Sequence, residues 1–203
     1  MPEAPTENPP ILLTVDYSAG AIDDKTTLPE HISVREQQLR MVAVRQGVDE
    51  AFAVGGPYRD TIVQARLALL EGGEGDLYGL FLRQAARDLY YRCAVSPGGH
   101  AVIGLYAGQH YDVRSGQLPP DFPFASGLGQ PNLFQVVACG PNLTFILNDR
   151  VVGGVIVDVR CAEGSLGFYL HHGSRAGAAV LAADWLQARA VFPESQEHEG
   201  GPS

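Results

Sequence analysis

The segment that most constrains the fold is 131–158, where three apolar runs are separated by two short polar breaks. The breaks are Gly140-Pro141-Asn142 and Asn148-Asp149-Arg150. Each run has about the length of one β-strand, and each break is rich in residues that tolerate tight turns. The segment therefore predicts a three-stranded antiparallel meander.

Alternation of side chains indicates how the meander faces the core. In the second run, Leu143, Phe145 and Leu147 share one face, and the residues between them share the other. The third run is apolar on both sides and holds Gly153 and Gly154 in its middle. That composition predicts a covered strand with a local bulge or bend.

Three other segments carry mixed signals. Residues 61–70, 77–92 and 176–192 are rich in Ala, Leu, Arg and Gln, which favour helices by intrinsic propensity. From Glu71 onward, however, turn signals recur at roughly ten-residue intervals, a spacing typical of β-sandwiches and barrels. The chain also contains 24 Gly and 14 Pro, which suit many turns. We therefore predict strands in all three segments.

A length of 203 residues allows one large all-β domain or two small ones. We predict one sandwich over 11–192, with disordered segments at 1–10 and 193–203. Segment 47–60, with its Gly-Gly-Pro sequence, is predicted to be a loop. The strands expected outside the meander are 11–17, 32–35, 39–45, 61–70, 77–83, 89–95, 101–106, 111–114, 165–170 and 180–192.

The formal net charge is -9, from 23 acidic and 14 basic residues. An acidic surface repels phosphate backbones, so nucleic acid is a poor candidate partner. No run of 18 apolar residues exists, and the first ten residues lack the basic and apolar regions of a signal peptide. We expect no membrane span, and a cytoplasmic location if the chain is complete or an extracellular one if it is a cut segment.

The three cysteines are Cys93, Cys139 and Cys161, and they form no CxxC pair. This spacing lacks a zinc or redox motif. We expect all three thiols to be reduced. In an exported protein one disulfide is the alternative, and the sequence does not choose its pair.

Five segments, taken in order, resemble the concanavalin A-like lectin/glucanase superfamily. More narrowly, the chain is similar to bacterial sandwich domains related to laminin-G modules and family 16 glycoside hydrolases. The resemblance covers 61–192 well and 11–46 loosely, and it implies a two-sheet antiparallel jelly roll with one concave and one convex sheet. The segments are YGLFLR (78–83), LYYRCAVSPGG (89–99), NLFQVVACGPNLTFILNDRVV (132–152), GSLGFYL (164–170) and ADWLQARAV (183–191).

The same resemblance implies one cofactor, a structural calcium ion on the convex side. Asp184 stands where several relatives have a carboxylate ligand, directly before Trp185, and Gly47 is the candidate early turn that supplies carbonyl oxygens. The alternative is that Asp184 only caps or solvates its strand, in which case the protein has no cofactor.

Trp185 is the only tryptophan, and it alternates with Leu181 and Ala183. An aromatic residue in such an alternating strand normally faces the core. We therefore predict that Trp185 is buried between the two sheets.

Motifs for catalysis are absent from the sequence. Family 16 glycosidases use the pattern Glu-x-Asp-x-x-Glu on one strand, and the nearest acidic stretch, 71–76, is a glycine-rich turn. There is no Gly-x-Ser-x-Gly, P-loop or His-Glu-x-x-His. His171 and His172 are adjacent, so an extended strand points them to opposite faces, and we interpret them as surface histidines rather than metal ligands.

Aromatic residues provide the candidate binding site. Tyrosines recur in consecutive predicted strands and are accompanied by arginines. Tyrosine rings suit the apolar C–H faces of sugars, and arginine supplies directional hydrogen bonds. We select Tyr90, Arg92 and Tyr111 as glycan contacts. The alternative is that these tyrosines line the core with their hydroxyl groups at the rim.

The sequence thus favours a non-catalytic binding module that recognises a glycan or a protein surface. A structural or assembly subunit of a larger complex is the first alternative. A glycoside-processing enzyme with a non-classical site is the second, so the absence of enzymatic activity is an expectation only.

Overall fold

A computed structural model describes residues 9–17, 28–175 and 177–191. In these residues the fold is all-β, with one short 3₁₀ turn at Val159–Cys161 and no α-helix. The prediction of a two-sheet antiparallel sandwich is confirmed. The predictions of disorder at 1–10 and 193–203 fall on residues outside those described, apart from residues 9 and 10.

In the described chain, sheet A has eight strands, in the order β12-β11-β10-β5-β14-β3-β2, and β1 also pairs with β14. The short strands β3 and β1 lie end to end along the same edge of β14. The strands are β1 (Ile11–Asp16), β2 (Ile32–Arg35), β3 (Gln38–Ala43), β5 (Thr61–Glu71), β10 (Asn132–Cys139), β11 (Asn142–Leu147), β12 (Arg150–Ile156) and β14 (Ala179–Ala190).

Sheet B has six strands among the described residues, in the order β4-β13-β6-β7-β8-β9. All neighbouring strands are antiparallel. They are β4 (Val48–Tyr58), β6 (Leu77–Ala86), β7 (Leu89–Val95), β8 (His100–Ala107), β9 (His110–Gln117) and β13 (Gly164–His172).

The core lies between the inner faces of the two sheets. Sheet A contributes Leu143, Phe145 and Leu147, all fully buried, as the alternation in the meander predicts. Phe145 stacks on Phe134 of β10 with ring centroids 5.9 Å apart. The bulge predicted near Gly153 is present in the pairing of β11 with β12.

One detail of the meander prediction is wrong, because β12 is not a covered strand. It forms one edge of sheet A, and Val151 and Ile156 are exposed by 59% and 76%. Apolar residues on both sides of a strand normally indicate burial on both faces. Here the second apolar side faces outward.

The three segments with helical propensity are all strands, as predicted. β5 pairs with β10 on one side and β14 on the other, so it lies inside sheet A. Its residues Val63, Ala65 and Leu67 alternate into the core. Pairing and packing on both sides thus determine the structure of this segment, although its Ala and Leu content favours helix.

The prediction of a loop at 47–60 is wrong. Residues Val48–Tyr58 form β4, an edge strand that pairs only with β13 among the described strands. Gly55 and Pro57 resemble turn signals, but an edge strand tolerates both, since one side of its backbone needs no partner strand. The pairing is irregular at this end, with register shifts around Leu166.

The predicted burial of Trp185 between the sheets is also wrong. The pairing of β14 with β5 shifts register between Ala183 and Trp185, which marks a β-bulge. The alternation therefore changes phase: Leu181 and Ala183 face the core before the bulge, and Leu186 faces it afterwards. Trp185 pairs with Arg66 and lies half-buried on the outer face of sheet A.

The three thiols at Cys93, Cys139 and Cys161 are free in the described structure, with Cys93 and Cys161 buried. Burial raises the pKa of the Cys161 thiol and of the Cys93 thiol. Both therefore behave as small apolar residues in the core.

Candidate functional site

The outer face of sheet B is concave. Phe168 and Leu170 of β13 belong to the core, so Tyr169 and His171 point outward. The edge strands of a flat six-stranded sheet lie about 24 Å apart, at about 4.8 Å per strand. In this protein, by contrast, His110 of edge strand β9 contacts Asp49 of edge strand β4. The sheet therefore curves until side chains from its two edges meet.

Asp49 is the centre of this meeting point. Its register partner in β13 is His171, whose Nδ1 lies 2.8 Å from Asp49 Oδ1. The hydroxyl of Tyr169 donates to the same oxygen at 2.7 Å. His110 Nε2 contacts the second oxygen, Oδ2. One carboxylate thus joins side chains from β4, β9 and β13, and we call Asp49, His110 and His171 the His–Asp cluster.

The electrostatics of the cluster follow from burial and from its hydrogen bonds. Burial opposes ionisation of Asp49, but hydrogen bonds from His171 and Tyr169 and the nearby His110 hold its pKa below the ordinary value. For His110, burial and the positive charge of Arg92 lower the pKa despite the attraction of Asp49. The carboxylate is therefore ionised and the His110 imidazole neutral at neutral pH.

Arg92 is a buried cation on the same outward face, only 4% exposed. Its Nη2 donates to Asp112 Oδ1 at 2.8 Å, and its Nη1 donates to the hydroxyl oxygen of Tyr169. The guanidinium carbon also lies 5.5 Å from the centre of the Tyr169 ring. Gly104 leaves room for this side chain, because a Cβ there would lie 2.8 Å from Arg92 Nε.

Aromatic rings continue the surface beside Arg92. Tyr90 is buried, and the half-buried Tyr106 packs against it with ring centroids 5.1 Å apart. The ring of His110 lies 4.8 Å from Tyr106 on the other side. A cleft of about 900 Å³ opens above these rings, bounded by β4 and by the hairpins that join β6 to β7 and β8 to β9.

Two of the three predicted glycan contacts lie together. Tyr90 and Arg92 share the outward face of β7, as their spacing predicts. Tyr111 does not join them, because its neighbours His110 and Asp112 point to the concave face and Tyr111 therefore points away from it. Tyr111 is 47% exposed, and its hydroxyl contacts Gln109. Glycan contact by any of the three stays a prediction.

The predicted calcium ligand Asp184 lies on the outer face of sheet A. Gln38 Nε2 donates to its Oδ1 at 2.7 Å, and Arg66 Nε lies 3.3 Å from its Oδ2. Gly47, the other predicted contributor, donates its N–H to the carbonyl of His172 in sheet B. Calcium binding at Asp184 stays a prediction.

Sequence reasoning missed the His–Asp cluster. It was right that His171 and His172 face opposite sides, but the interpretation of both as surface histidines is wrong for His172, which is buried against Asp76 at 3.0 Å. It did not pair His171 with His110, because no short spacing relates them. The sequence offered one signal for this cluster, which is Asp49, an acidic residue in the segment that was predicted to be a loop and that forms β4.

No family model matches the chain, and no curated protein sequence matches it either. Solved structures do match. The carbohydrate-binding module CBM66 from Bacillus subtilis has a TM-score of 0.55 and 15% identity, covering 71% of this chain and 82% of that one. The GH43 protein BlXynB from Bacillus licheniformis has a TM-score of 0.66 and 14% identity, covering 88% of this chain and 39% of that one.

A third match is the catalytic domain of an endo-1,3-β-glucanase (laminarinase) from Thermotoga petrophila. Its TM-score is 0.61 with 8% identity, covering 92% of this chain and 100% of that domain. By contrast, this chain spans about two fifths of the GH43 proteins and of the xylan β-1,4-xylosidase that it matches.

At these identities the similarity establishes the fold. The chain has the two-sheet β-sandwich fold of these carbohydrate-binding and glucanase structures, so the predicted resemblance is confirmed for the fold, and membership of the superfamily stays a prediction. Within the described residues, no helix is long and apolar enough to cross a membrane.

Proposed function

We propose that this chain is a carbohydrate-binding module and that the concave outer face of sheet B is its binding surface. The observation that carries the proposal is Arg92, a cation buried on the side of the sheet that faces away from the core. Burying a charge is costly unless partners compensate it. Tyr169 and Asp112 accept hydrogen bonds from Nη1 and Nη2 of Arg92, and its buried Nε has no hydrogen-bond partner among the described residues.

The chemistry of this face suits a sugar. Tyr106 is half-buried and supported from below by Tyr90, so its ring offers a rigid apolar platform for the C–H face of a pyranose. Asp112, 45% exposed in its side chain, offers hydrogen-bond acceptors for hydroxyl groups. The cleft of about 900 Å³ is large enough for a short oligosaccharide.

The structural matches support the same chemical class. They include a carbohydrate-binding module, a xylan β-1,4-xylosidase, a laminarinase and an endo-acting O-glycanase linked to mucin breakdown. Fold similarity supports a glycan ligand by analogy only, since one fold carries many functions. The choice of test ligands follows from these names: xylan, β-1,3-glucan and mucin O-glycans.

A glycan array tests the proposal, followed by calorimetric titration of the best ligand. We expect Tyr106→Ala to weaken binding about tenfold, because one aromatic contact contributes on the order of 1 kcal/mol. Tyr111→Ala removes a tyrosine of β9 that points away from the concave face. The proposed surface therefore predicts unchanged affinity in this variant, in contrast to the sequence-based selection of Tyr111 as a glycan contact. Absence of binding to every glycan, or equal losses in both variants, contradicts the proposal.

Glycoside hydrolysis is the second candidate, favoured by the full-length match to the laminarinase catalytic domain. Glycosidases need two carboxyl groups placed about 5 Å or about 6.5–9.5 Å apart, one of which holds a proton. On this face hydrogen bonds from His171 and Tyr169 hold the pKa of Asp49 below its ordinary value despite burial. Asp112 is engaged by Arg92 at 2.8 Å. Release of reducing sugar from β-1,3-glucan, lost in Asp49→Asn, would establish hydrolysis.

A further inference from the structure

We propose that Asp49, His110 and His171 bind a divalent transition-metal ion, with zinc as the first candidate. One ligand atom from each residue lies within 4.8 Å of the other two. The three residues come from β4, β9 and β13, so two edges of the curved sheet and a neighbouring strand supply them. Metal binding is independent of whether a carbohydrate binds on the same face.

The ligand set matches the chemistry of such an ion. Two imidazole nitrogens and one carboxylate oxygen are preferred ligands of zinc and related divalent metals, and calcium prefers oxygen atoms alone. Around a tetrahedral zinc ion, with bonds of about 2.1 Å, ligand atoms lie about 3.4 Å apart. His171 Nδ1 and Asp49 Oδ1 are 2.8 Å apart, and all separations stay within 4.8 Å. Metal binding would replace the direct contacts between Asp49 and the two histidines and would require the three side chains to rotate until their ligand atoms lie about 3.4 Å apart.

Neighbouring groups hold the ligands in place. The Tyr169 hydroxyl donates to Asp49 Oδ1 at 2.7 Å, and Arg92 in turn contacts the Tyr169 oxygen. Hydrogen bonds of this kind orient metal ligands and strongly affect affinity. Arg92 brings a positive charge towards the site, but Asp112 pairs with it at 2.8 Å and offsets that charge.

The site is also accessible. Side-chain exposure is 33% for His110, 21% for His171 and 13% for Asp49. Asp49 and His110 both line the cleft of about 900 Å³. Three protein ligands leave at least one coordination position for water or for a ligand atom, as in open metal sites.

Calorimetric titration of the tag-free, chelator-treated chain with zinc chloride tests the proposal. Wild type should bind one equivalent. His110→Gln and His171→Gln should each weaken binding by at least about 100-fold, since changes in the residues that merely support ligands already cost about 10–100-fold. His100→Gln, which removes an exposed histidine at the start of β8, is the matched control and should bind as wild type does.

Melting temperature provides a second measurement in the same samples. Zinc should raise it for wild type and for His100→Gln, because the ion binds the folded state. It should not raise it for either cluster variant. Circular dichroism checks that the variants are folded, and if one fails to fold, the other histidine variant decides. No binding at one equivalent, or equal binding by wild type and a folded cluster variant, overturns the proposal.

These titrations contain no carbohydrate, so their failure leaves the proposed glycan binding untouched. Conversely, a chain that binds zinc but no glycan supports the metal site and contradicts the proposed function.

Discussion

The outer faces of the two sheets differ in how they hold polar side chains. On sheet A, polar groups pair near solvent: Arg66, 54% exposed in its side chain, lies beside Asp184, and Gln64 donates to Gln135 at 2.8 Å. On sheet B, two charged side chains are withdrawn from water, since Arg92 and Asp49 are exposed by only 5% and 13%, although Asp112, the partner of Arg92, is 45% exposed. Solvated pairs contribute little to stability, whereas withdrawn charges are costly unless fully partnered.

This difference supports the proposal that the outer face of sheet B is the binding surface. In a β-sandwich the outer face of each sheet needs polar side chains only to contact solvent. The solvated polar pairs on the outer face of sheet A meet that need and nothing more. The outer face of sheet B carries more than solvent contact requires, because five polar side chains contact one another there: Asp49, His110, His171, Tyr169 and Arg92. Stability measurements on matched variants of the two faces therefore sharpen the comparison.

The largest expected effect is on the two arginines. Arg92→Ala should lower the free energy of unfolding by about 3 kcal/mol, because it removes a buried side chain and leaves Asp112 and Tyr169 without their cation. Arg66→Ala should cost at most about 1 kcal/mol, since its pair with Asp184 is solvated. Urea denaturation measures both, and equal losses would remove the distinction between the faces.

A smaller effect is expected from hydrogen bonds. Tyr169→Phe keeps the ring and removes only the hydroxyl that donates to Asp49 and accepts from Arg92. Because both partners are charged, we expect a loss of about 1–3 kcal/mol. Gln64→Ala on sheet A should cost about 0.5 kcal/mol. Thermal or urea denaturation of the pair measures the ratio, and a larger loss in Gln64→Ala contradicts the comparison.

Stability should also depend on pH through Asp76, a buried carboxylate at the end of sheet B. Burial opposes its ionisation, but N–H groups of Ser174 and Gly73, the Ser174 hydroxyl and His172 outweigh burial and lower the pKa of Asp76. Its folded pKa is thus below the unfolded value, so its contribution is present above the ordinary carboxyl pKa and is lost as the pH falls through the lowered value.

The free energy of unfolding should therefore decrease as the pH is lowered from 6 through the carboxyl pKa range. Asp76→Asn should make this dependence on pH less steep. A wild-type slope retained in full by Asp76→Asn would show that other groups cause it.

The smallest effect concerns calcium at Asp184. Gln38 and Arg66 already engage both carboxylate oxygens, and the Arg66 cation at 3.3 Å opposes a second cation. We expect equal melting temperatures in millimolar calcium and in excess chelator. A rise in calcium that Asp184→Ala abolishes would instead establish the ion implied by the superfamily resemblance.

The fold was predictable where local patterns agree with tertiary contacts. Alternation in 143–147 and the regular turns identified the meander and the strands, even where Ala and Leu in β5 favour helix. Two predictions, the burial of Trp185 and the loop at 47–60, were wrong because of features at one or two residues. A bulge before Trp185 reversed its direction, and Gly55 and Pro57 in an edge strand looked like a loop.

The candidate site was predictable only in part. Tyr90 and Arg92 share a face because they are two residues apart on one strand, which the sequence shows directly. The His–Asp cluster depends on the curvature of sheet B, which brings β9 to β4. Curvature is the sum of twist and bulges over six strands, so no local spacing reports it.

Affinity electrophoresis through gels that contain xylan, β-1,3-glucan or mucin glycans tests most directly whether sheet B is the binding surface. Tyr106→Ala alters an aromatic residue on the outer face of sheet B, and Trp185→Ala alters one on the outer face of sheet A. We predict that one polysaccharide retards the wild type and Trp185→Ala equally and retards Tyr106→Ala less. Retardation that is lost in Trp185→Ala and kept in Tyr106→Ala would place binding on the opposite sheet and contradict the proposed surface.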